Sequence, residues 1–280
     1  MNTHPHNLLV SAEDLSKIIG SPDLIILDCR FYLADTSKGR KEYLQQHIPG
    51  AYFLDMEHDL SSSVVKGVTG RHPLPDPEVL TYTLRATGIN PTSKVVVYDQ
   101  MNSMAAARAW WLLQWLGHTN VFILNGGIKA WEAKGYNQDN QWPPPEKGVF
   151  EFKQNPSLTI DKFEVASGSD KIIDSRDFIR YTGESEPIDP VAGHIPGAIC
   201  IPFVDNTDTN GFWKSPSFLQ HKFAGIDTDD EKPPVFYCGS GISACHNILA
   251  YKIATGKNAR LYPGSWSEWL NYYPAVTGHG

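Results

Sequence analysis

The chain has few cysteines, and no two of them are close enough to form a Cys-x-x-Cys pair. Its 280 residues include only four, at positions 29, 200, 238 and 245. This excludes a dense disulfide framework and indicates a protein of a reducing compartment, so we expect a cytoplasmic location. Any chemistry performed by a cysteine must then come from a single activated thiol.

Long apolar runs and basic runs are also missing. No stretch approaches the roughly 18 apolar residues of a membrane span. Lysine and arginine together number 24 against 31 for aspartate and glutamate, which gives a formal net charge of −7. The sequence therefore predicts no nucleic-acid partner and no membrane partner. A chain of this length corresponds to about two domains at roughly 100–200 residues each.

The sequence repeats one plan twice. Short apolar runs end in Asp-x-Arg at 28–30 and again at 174–176, and His-Ile-Pro-Gly-Ala occurs at 47–51 and at 194–198. A second strand-like run and a helical segment follow in each half. Strands that alternate with helices predict an α/β fold with a parallel sheet in each half.

A polar stretch separates the two copies. It contains three consecutive prolines at 143–145, which cannot continue a helix or a central strand. We therefore predict a first domain at 1–137, a semi-rigid linker at 138–156 and a second domain at 157–280.

The strand end before the main helix of the second half carries Cys238. An open parallel sheet binds its ligand at this edge. Gly239 and Gly241 let the following loop curl so that its backbone N–H groups face the thiol, and a helix begins directly after it. Both features favour the thiolate. The first half has Asp99 in the matching place, so we expect only the second half to be catalytic.

These residues resemble the tandem-domain rhodanese superfamily, the sulfurtransferases of the thiosulfate and 3-mercaptopyruvate type. The resemblance covers both Asp-x-Arg strands, both His-Ile-Pro-Gly-Ala motifs, the loop 238–243 and the segment 262–269. It implies two rhodanese-like domains, each a parallel sheet flanked by helices. It also implies a persulfide on Cys238, a small-molecule sulfur donor, and cyanide, a thiol or a protein as the acceptor. No metal or organic cofactor is expected. The loop residues Gly239, Gly241, Ile242 and Ser243 would bind the substrate.

The resemblance leaves two sulfur donors open. The neutral loop Cys-Gly-Ser-Gly-Ile-Ser favours 3-mercaptopyruvate, because a dianion such as thiosulfate gains more from cations than a monocarboxylate does. Arg180 matches an arginine that holds the donor's carboxylate. A second arginine that usually follows a Glu-Pro pair is replaced here by Ile188.

A proton relay is also implied by the resemblance. Its serine, histidine and acid correspond to Ser240, His72 and Glu57, with glutamate in place of the usual aspartate. Cys245 is either a resolving thiol or a packing residue, and we expect it to pack. The alternative to an enzyme is a non-catalytic module that relays sulfur to, or docks on, a protein partner.

Overall fold

Two parallel β-sheets, one in each half of the sequence, organise the computed structural model, which describes residues 8–144, 146–226 and 232–279. Pro145 of the predicted linker lies outside the described residues. Two units emerge from the contacts within the chain. Unit 1 takes residues 8–62, 75–144, 146–155 and 207–213, and unit 2 takes 63–74, 156–206, 214–226 and 232–279.

Unit 1 contains a five-stranded sheet in the order β1-β5-β4-β2-β3, in which every neighbouring pair is parallel. Its elements are β1 (Leu9–Val10), α1 (Ala12–Ser16), β2 (Leu24–Asp28), α2 (Lys38–Gln45), β3 (Ala51–Phe53), α3 (Pro77–Arg85), β4 (Lys94–Tyr98), α4 (Met104–Trp115), β5 (Val121–Leu124) and α5 (Gly127–Ala133). The central strands β2 and β4 are apolar and almost wholly buried, as strands covered on both faces must be.

Unit 2 contains a four-stranded sheet in the order β7-β6-β8-β9, again parallel throughout. Its elements are α6 (Lys162–Ala166), β6 (Ile172–Asp174), α7 (Phe178–Thr182), β7 (Ile199–Cys200), α8 (Pro216–Phe223), β8 (Val235–Tyr237), α9 (Ser243–Thr255), β9 (Arg260–Leu261) and α10 (Ser265–Trp269), with short 3-10 turns at Pro156–Leu158 and Phe203–Asn206. The predicted α/β class, with two parallel sheets flanked by helices, is confirmed.

The repeated motifs make the same internal contacts in both units. Arg30 forms a buried ion pair with Asp28 at 2.7 Å, and Arg176 forms one with Asp174 at 2.6 Å. His47 Nδ1 lies 2.7 Å from a tyrosine carbonyl oxygen in the preceding helix, as does the matching ring of the second copy at 2.8 Å. These contacts fix the strand ends and the turns next to the loops at the carboxyl edge of each sheet.

Residues 138–144 and 146–155, which make up most of the predicted linker, belong to unit 1 and are hydrogen bonded to it. The backbone N–H groups of Glu146, Gly148, Phe150, Lys153 and Asn155 all donate to carbonyl groups of that unit. Where the two domains are best divided stays a prediction. Among the described residues, no helix combines the length and the apolar character needed to cross a bilayer.

Candidate active site

Cys238 lies directly after β8, at the start of a tight loop that leads into α9. The residue is 2% exposed, and the backbone N–H of Gly241 donates to its Sγ at 3.1 Å. Gly241 has a φ of +83°, and a Cβ built on it would lie 2.6 Å from the carbonyl oxygen of Pro263. Only glycine fits this position without strain. The loop therefore folds its own amide onto the sulfur, an arrangement that favours a negative charge there.

The matching loop of unit 1 contains a built-in anion at the same place. Asp99 follows β4, and its carboxylate accepts hydrogen bonds from the backbone N–H groups of Met101, Ser103, Ala105 and Ala106 at 2.9 to 3.3 Å. Burial raises the pKa of Asp99, and the four hydrogen bonds oppose that rise. A loop of this shape at the end of a parallel strand is thus an anion-binding structure in this chain.

The segment from Gly264 to Trp269 clamps the Cys238 loop from outside. Trp266 N–H donates to the Cys238 carbonyl at 2.9 Å, and Ser267 N–H donates to the Gly239 carbonyl at 3.0 Å. Cys238 N–H donates in turn to Ser265 Oγ at 3.2 Å. Ser265 adopts a φ of +54°, a left-handed conformation that is strained for a residue with a Cβ. These contacts hold the loop by both its donors and its acceptors.

A histidine from a distant part of the sequence lies against this loop. His72 belongs to the segment 63–74 of unit 2, and its Nδ1 lies 2.8 Å from Ser240 Oγ. Both residues are buried, at 3% and 7% exposure. Arg71, the residue before His72, donates its backbone N–H to Ser267 Oγ at 3.0 Å, and this contact fixes the segment 63–74 beside the loop. The distance from ring to hydroxyl permits a proton to pass between them.

Two arginines lie beside Gly239, the residue after the cysteine. A Cβ built on Gly239 would lie 2.7 Å from Nη2 of Arg71 and 3.5 Å from Nη2 of Arg180. The two guanidinium groups supply a pair of planar donors beside the loop, which is a geometry suited to a carboxylate. Ile188, where a second arginine was considered from the sequence, is 44% exposed.

Two carboxylates hold the arginine pair in place. Glu186 accepts from Arg180 Nε at 3.0 Å, and Asp189 forms ion pairs with Arg180 Nη2 at 2.9 Å and with Arg71 Nη1. Burial alone would raise the pKa of Glu186, but the hydrogen bonds from Arg180 and from the Asp189 and Ile188 amides hold it below its usual value. Burial raises the pKa of Asp189, and the charges of the two arginines oppose that rise.

The structure thus brings Cys238, Ser240, His72 and Arg180 together in unit 2. Ile242, 5% exposed, and half-buried Ser243 continue the loop into the first turn of α9. Glu57 is exposed and belongs to unit 1, where its backbone N–H donates to an Asp55 carboxylate oxygen at 2.9 Å. Its place in the relay stays a prediction.

Sequence reasoning missed three members of the site: Arg71, Asp189 and Ser265. Arg71 is adjacent to His72, so a histidine assigned to the site could have drawn attention to its neighbour. Asp189 directly follows Ile188, the position at which the resemblance places a second arginine. Nothing local to the sequence marks Ser265 as left-handed.

The remaining cysteines occupy other surroundings. Cys245 is fully buried, and its thiol donates to the Gly241 carbonyl at 3.2 Å. Burial raises the pKa of Cys29, and it raises that of half-buried Cys200 to about 12. All four cysteines are free thiols in this structure.

Known proteins resemble this chain over nearly its whole length. A probable 3-mercaptopyruvate sulfurtransferase from Pseudomonas aeruginosa is 45% identical over 96% of this chain and 98% of its own. Thiosulfate sulfurtransferase from Bos taurus is 32% identical over 97% of this chain and 95% of its own. The crystal structure of a 3-mercaptopyruvate sulfurtransferase from Escherichia coli superposes with a TM-score of 0.80 at 31% identity, covering 94% of this chain and 100% of that one.

A family model gives the same result for each half separately. The model of the rhodanese-like domain matches residues 11–134 and again residues 159–272. These two ranges contain the Asp99 loop and the Cys238 loop respectively. The chain belongs to the rhodanese-like domain family and carries two copies of that domain.

Proposed function

We propose that the protein is a sulfurtransferase in which Cys238 carries the transferred sulfur as a persulfide. The single observation that carries this proposal is the Gly241 amide directed at Cys238 Sγ within a loop that two arginines flank. A thiolate so placed is a nucleophile beside a site for an anionic donor. The named activities of its relatives support the same conclusion.

The preferred donor is 3-mercaptopyruvate. Its carboxylate matches the planar donors of Arg71 and Arg180. Arg71 takes the place of the second arginine that is absent at position 188. Arg71 is therefore the second clamp. Thiosulfate, a smaller dianion, is the secondary donor.

The first half-reaction moves one sulfur atom. The Cys238 thiolate attacks the donor's sulfur, an S–S bond forms, the C–S bond breaks, and its electron pair leaves with carbon as the enolate of pyruvate. Ser240 gives its proton to that carbon, and His72 at 2.8 Å restores the hydroxyl. The proton that the new persulfide loses replaces the one that carbon gains, so the products are the persulfide anion and pyruvate.

The second half-reaction regenerates the thiolate. A nucleophile such as cyanide attacks the outer sulfur of the persulfide, the S–S bond breaks, and its electron pair returns to Cys238 Sγ as thiocyanate leaves. The Gly241 amide that favours the thiolate makes it a good leaving group. A thiol, free or on a protein, is the proposed physiological acceptor. Because this cycle needs a free thiol, we also propose a cytoplasmic location, which the four free cysteines support.

The test is turnover in two matched cysteine variants. Cys238→Ser should abolish thiocyanate formation and the sulfur adduct seen by mass spectrometry after treatment with donor. Cys245→Ser removes a buried thiol of α9, seven residues further along the chain, and should leave most of the activity. Near-normal turnover in Cys238→Ser would refute the mechanism. A stable adduct on wild-type protein without turnover on any small acceptor would indicate the relay module instead.

A further inference from the structure

The two arginines of the donor site are already bridged by a carboxylate of the chain itself. Asp189 gives one oxygen to Arg71 Nη1 and the other to Arg180 Nη2. Its side chain is 1% exposed, whereas those of Arg71 and Arg180 are 29% and 11% exposed. The carboxylate therefore lies on the inner side of the pair, and the guanidinium groups reach the open side.

This bridge has the form that a bound carboxylate would take. A carboxylate between two guanidinium groups offers one oxygen to each, and Asp189 does so. Arg71 Nε is buried and, among the described residues, has no hydrogen-bond partner, so the pair retains a donor that Asp189 does not use. The turn that carries Asp189 is fixed by Glu186, whose Oε1 accepts the backbone N–H of Asp189 at 3.0 Å.

The bridge also cancels the charge of the site. Three arginines, at 71, 176 and 180, contribute three positive charges, and Asp174, Glu186 and Asp189 contribute three negative ones, all linked by direct ion pairs. The pair therefore presents hydrogen-bond donors without a net positive charge. A monoanion can still be held by such donors, whereas a dianion gains most where positive charge is in excess.

We propose that Asp189 is a specificity-determining residue, a built-in counter-charge that weakens the binding of anionic sulfur donors and disfavours the dianion thiosulfate more than monoanionic 3-mercaptopyruvate. The identity of the two donors rests on the proposed function. The expectation that Asp189 weakens anion binding rests on the contacts of its carboxylate with the two arginines.

The sign and the ratio follow from Coulomb's law. The energy between Asp189 and a donor is proportional to the donor's charge, so removing the aspartate charge helps a dianion about twice as much in free energy as a monoanion at the same distance. A rise of roughly tenfold in kcat/KM for mercaptopyruvate thus corresponds to roughly a hundredfold for thiosulfate, because each tenfold step is a fixed free energy. The selectivity between donors should shift about tenfold toward thiosulfate.

Asp189→Asn tests this with little change of shape. Asn keeps an oxygen for one arginine and removes the charge. We expect kcat/KM to rise for both donors, and more for thiosulfate. Asp189→Glu, which keeps the charge, should retain the wild-type preference. Asp177→Asn removes an exposed carboxylate of the same unit and serves as the control that should leave the preference unchanged. Should Asp189→Asn fail to fold, Asp189→Ser also removes the charge and gives the same expectation.

Equilibrium binding separates this proposal from the proposed function. Pyruvate and sulfate, a monoanion and a dianion, can be titrated by calorimetry into Cys238→Ser with and without Asp189→Asn. We expect tighter binding of both ions to the double variant, with the larger gain for sulfate. This result would support the role of Asp189 even if no donor were turned over, in which case the proposed function alone would fail.

Two results would overturn the proposal. Weaker binding of both anions and a lower kcat/KM for both donors in Asp189→Asn would mean that Asp189 serves only to hold the arginines in position. Unchanged affinities and an unchanged donor ratio would mean that its charge does not reach the bound anion.

Discussion

Replacing Ser240 by alanine separates the two donors, because only one of them needs a proton. Mercaptopyruvate leaves as an enolate whose carbon must be protonated, whereas thiosulfate leaves as sulfite, which needs none. Ser240 Oγ is the hydroxyl of the Cys238 loop that lies 2.8 Å from the buried His72. General acid catalysis by a positioned group contributes roughly 10²–10⁴ in rate. We expect kcat/KM for mercaptopyruvate to fall about a hundredfold, which corresponds to about 2.7 kcal/mol of barrier.

The same change leaves His72 without its hydroxyl partner, and this has a separate cost. A buried polar group that loses its hydrogen bond destabilises the fold by about 1–3 kcal/mol. Urea unfolding of the variant measures this part, and rates taken well below the unfolding midpoint exclude it from the kinetics. Thr182→Val, which removes another buried hydroxyl of unit 2, is the matched control and should leave the kinetics with both donors unchanged.

The assay is the initial rate of thiocyanate formation from cyanide with each donor in turn. With thiosulfate we expect Ser240→Ala to retain activity within about fivefold of wild type, since the step that general acid catalysis accelerates is absent. Equal losses with both donors would refute the reasoning, because the hydroxyl would then act on Cys238 or on the loop. Full activity with mercaptopyruvate would remove Ser240 from the proton path.

Three further changes test other parts of the site. Gly239→Ala places a Cβ against the flexible end of the Arg71 side chain rather than against backbone. We therefore expect KM for mercaptopyruvate to rise about tenfold, which corresponds to about 1.4 kcal/mol of lost binding, while kcat changes less. A change in kcat alone would contradict this. Both Ser265→Ala and Ser265→Gly remove the hydroxyl that accepts from Cys238 N–H, but only the glycine relieves the backbone strain of about 1–3 kcal/mol. We therefore expect the glycine variant to have the higher thermal unfolding temperature of the two. Iodoacetamide at pH 8 should modify Cys238 and spare Cys200, because a pKa of about 12 keeps the Cys200 thiol protonated at that pH. If mass spectrometry finds Cys200 alkylated before Cys238, the identification of Cys238 as the reactive thiol is wrong.

The strands and the reactive loop were predictable because their signals are local. Val95–Val97 and Val235–Tyr237 are short apolar runs of the kind typical of buried strands, and each is followed within a few residues by a helix. The glycines at 239 and 241 predicted a loop that could curl around the thiol, and Gly241 has a φ of +83°. Periodicity and turn chemistry act over a few residues, so a single sequence carries them in full.

The arginine pair was predictable only in part, because long-range packing decides it. Ile188 implied a site with one clamp, whereas Arg71, 118 residues before Asp189 in the chain, contacts Asp189 and is the proposed second clamp. The segment 63–74 associates with unit 2 although it precedes the second repeat by some ninety residues of sequence. No periodicity or spacing in the sequence encodes that association, since it depends on the contacts of Gly70 and Arg71 with Gly264 and Ser267.

The two units show what separates an anion-binding loop from a reactive one. In unit 1 the anion is covalently part of the loop and is satisfied by four amides, so Asp99 has no contact left to offer a substrate and stabilises its own loop. In unit 2 the loop amide faces a sulfur that can change its charge and bonding, and Asp189 forms ion pairs with the neighbouring cations Arg71 and Arg180. The two carboxylates differ in what holds them: arginine side chains contact Asp189, whereas backbone amides contact Asp99. A cysteine at the strand end is therefore not the whole of the site, because Ser240 with its histidine partner and the two arginines also lie beside the loop.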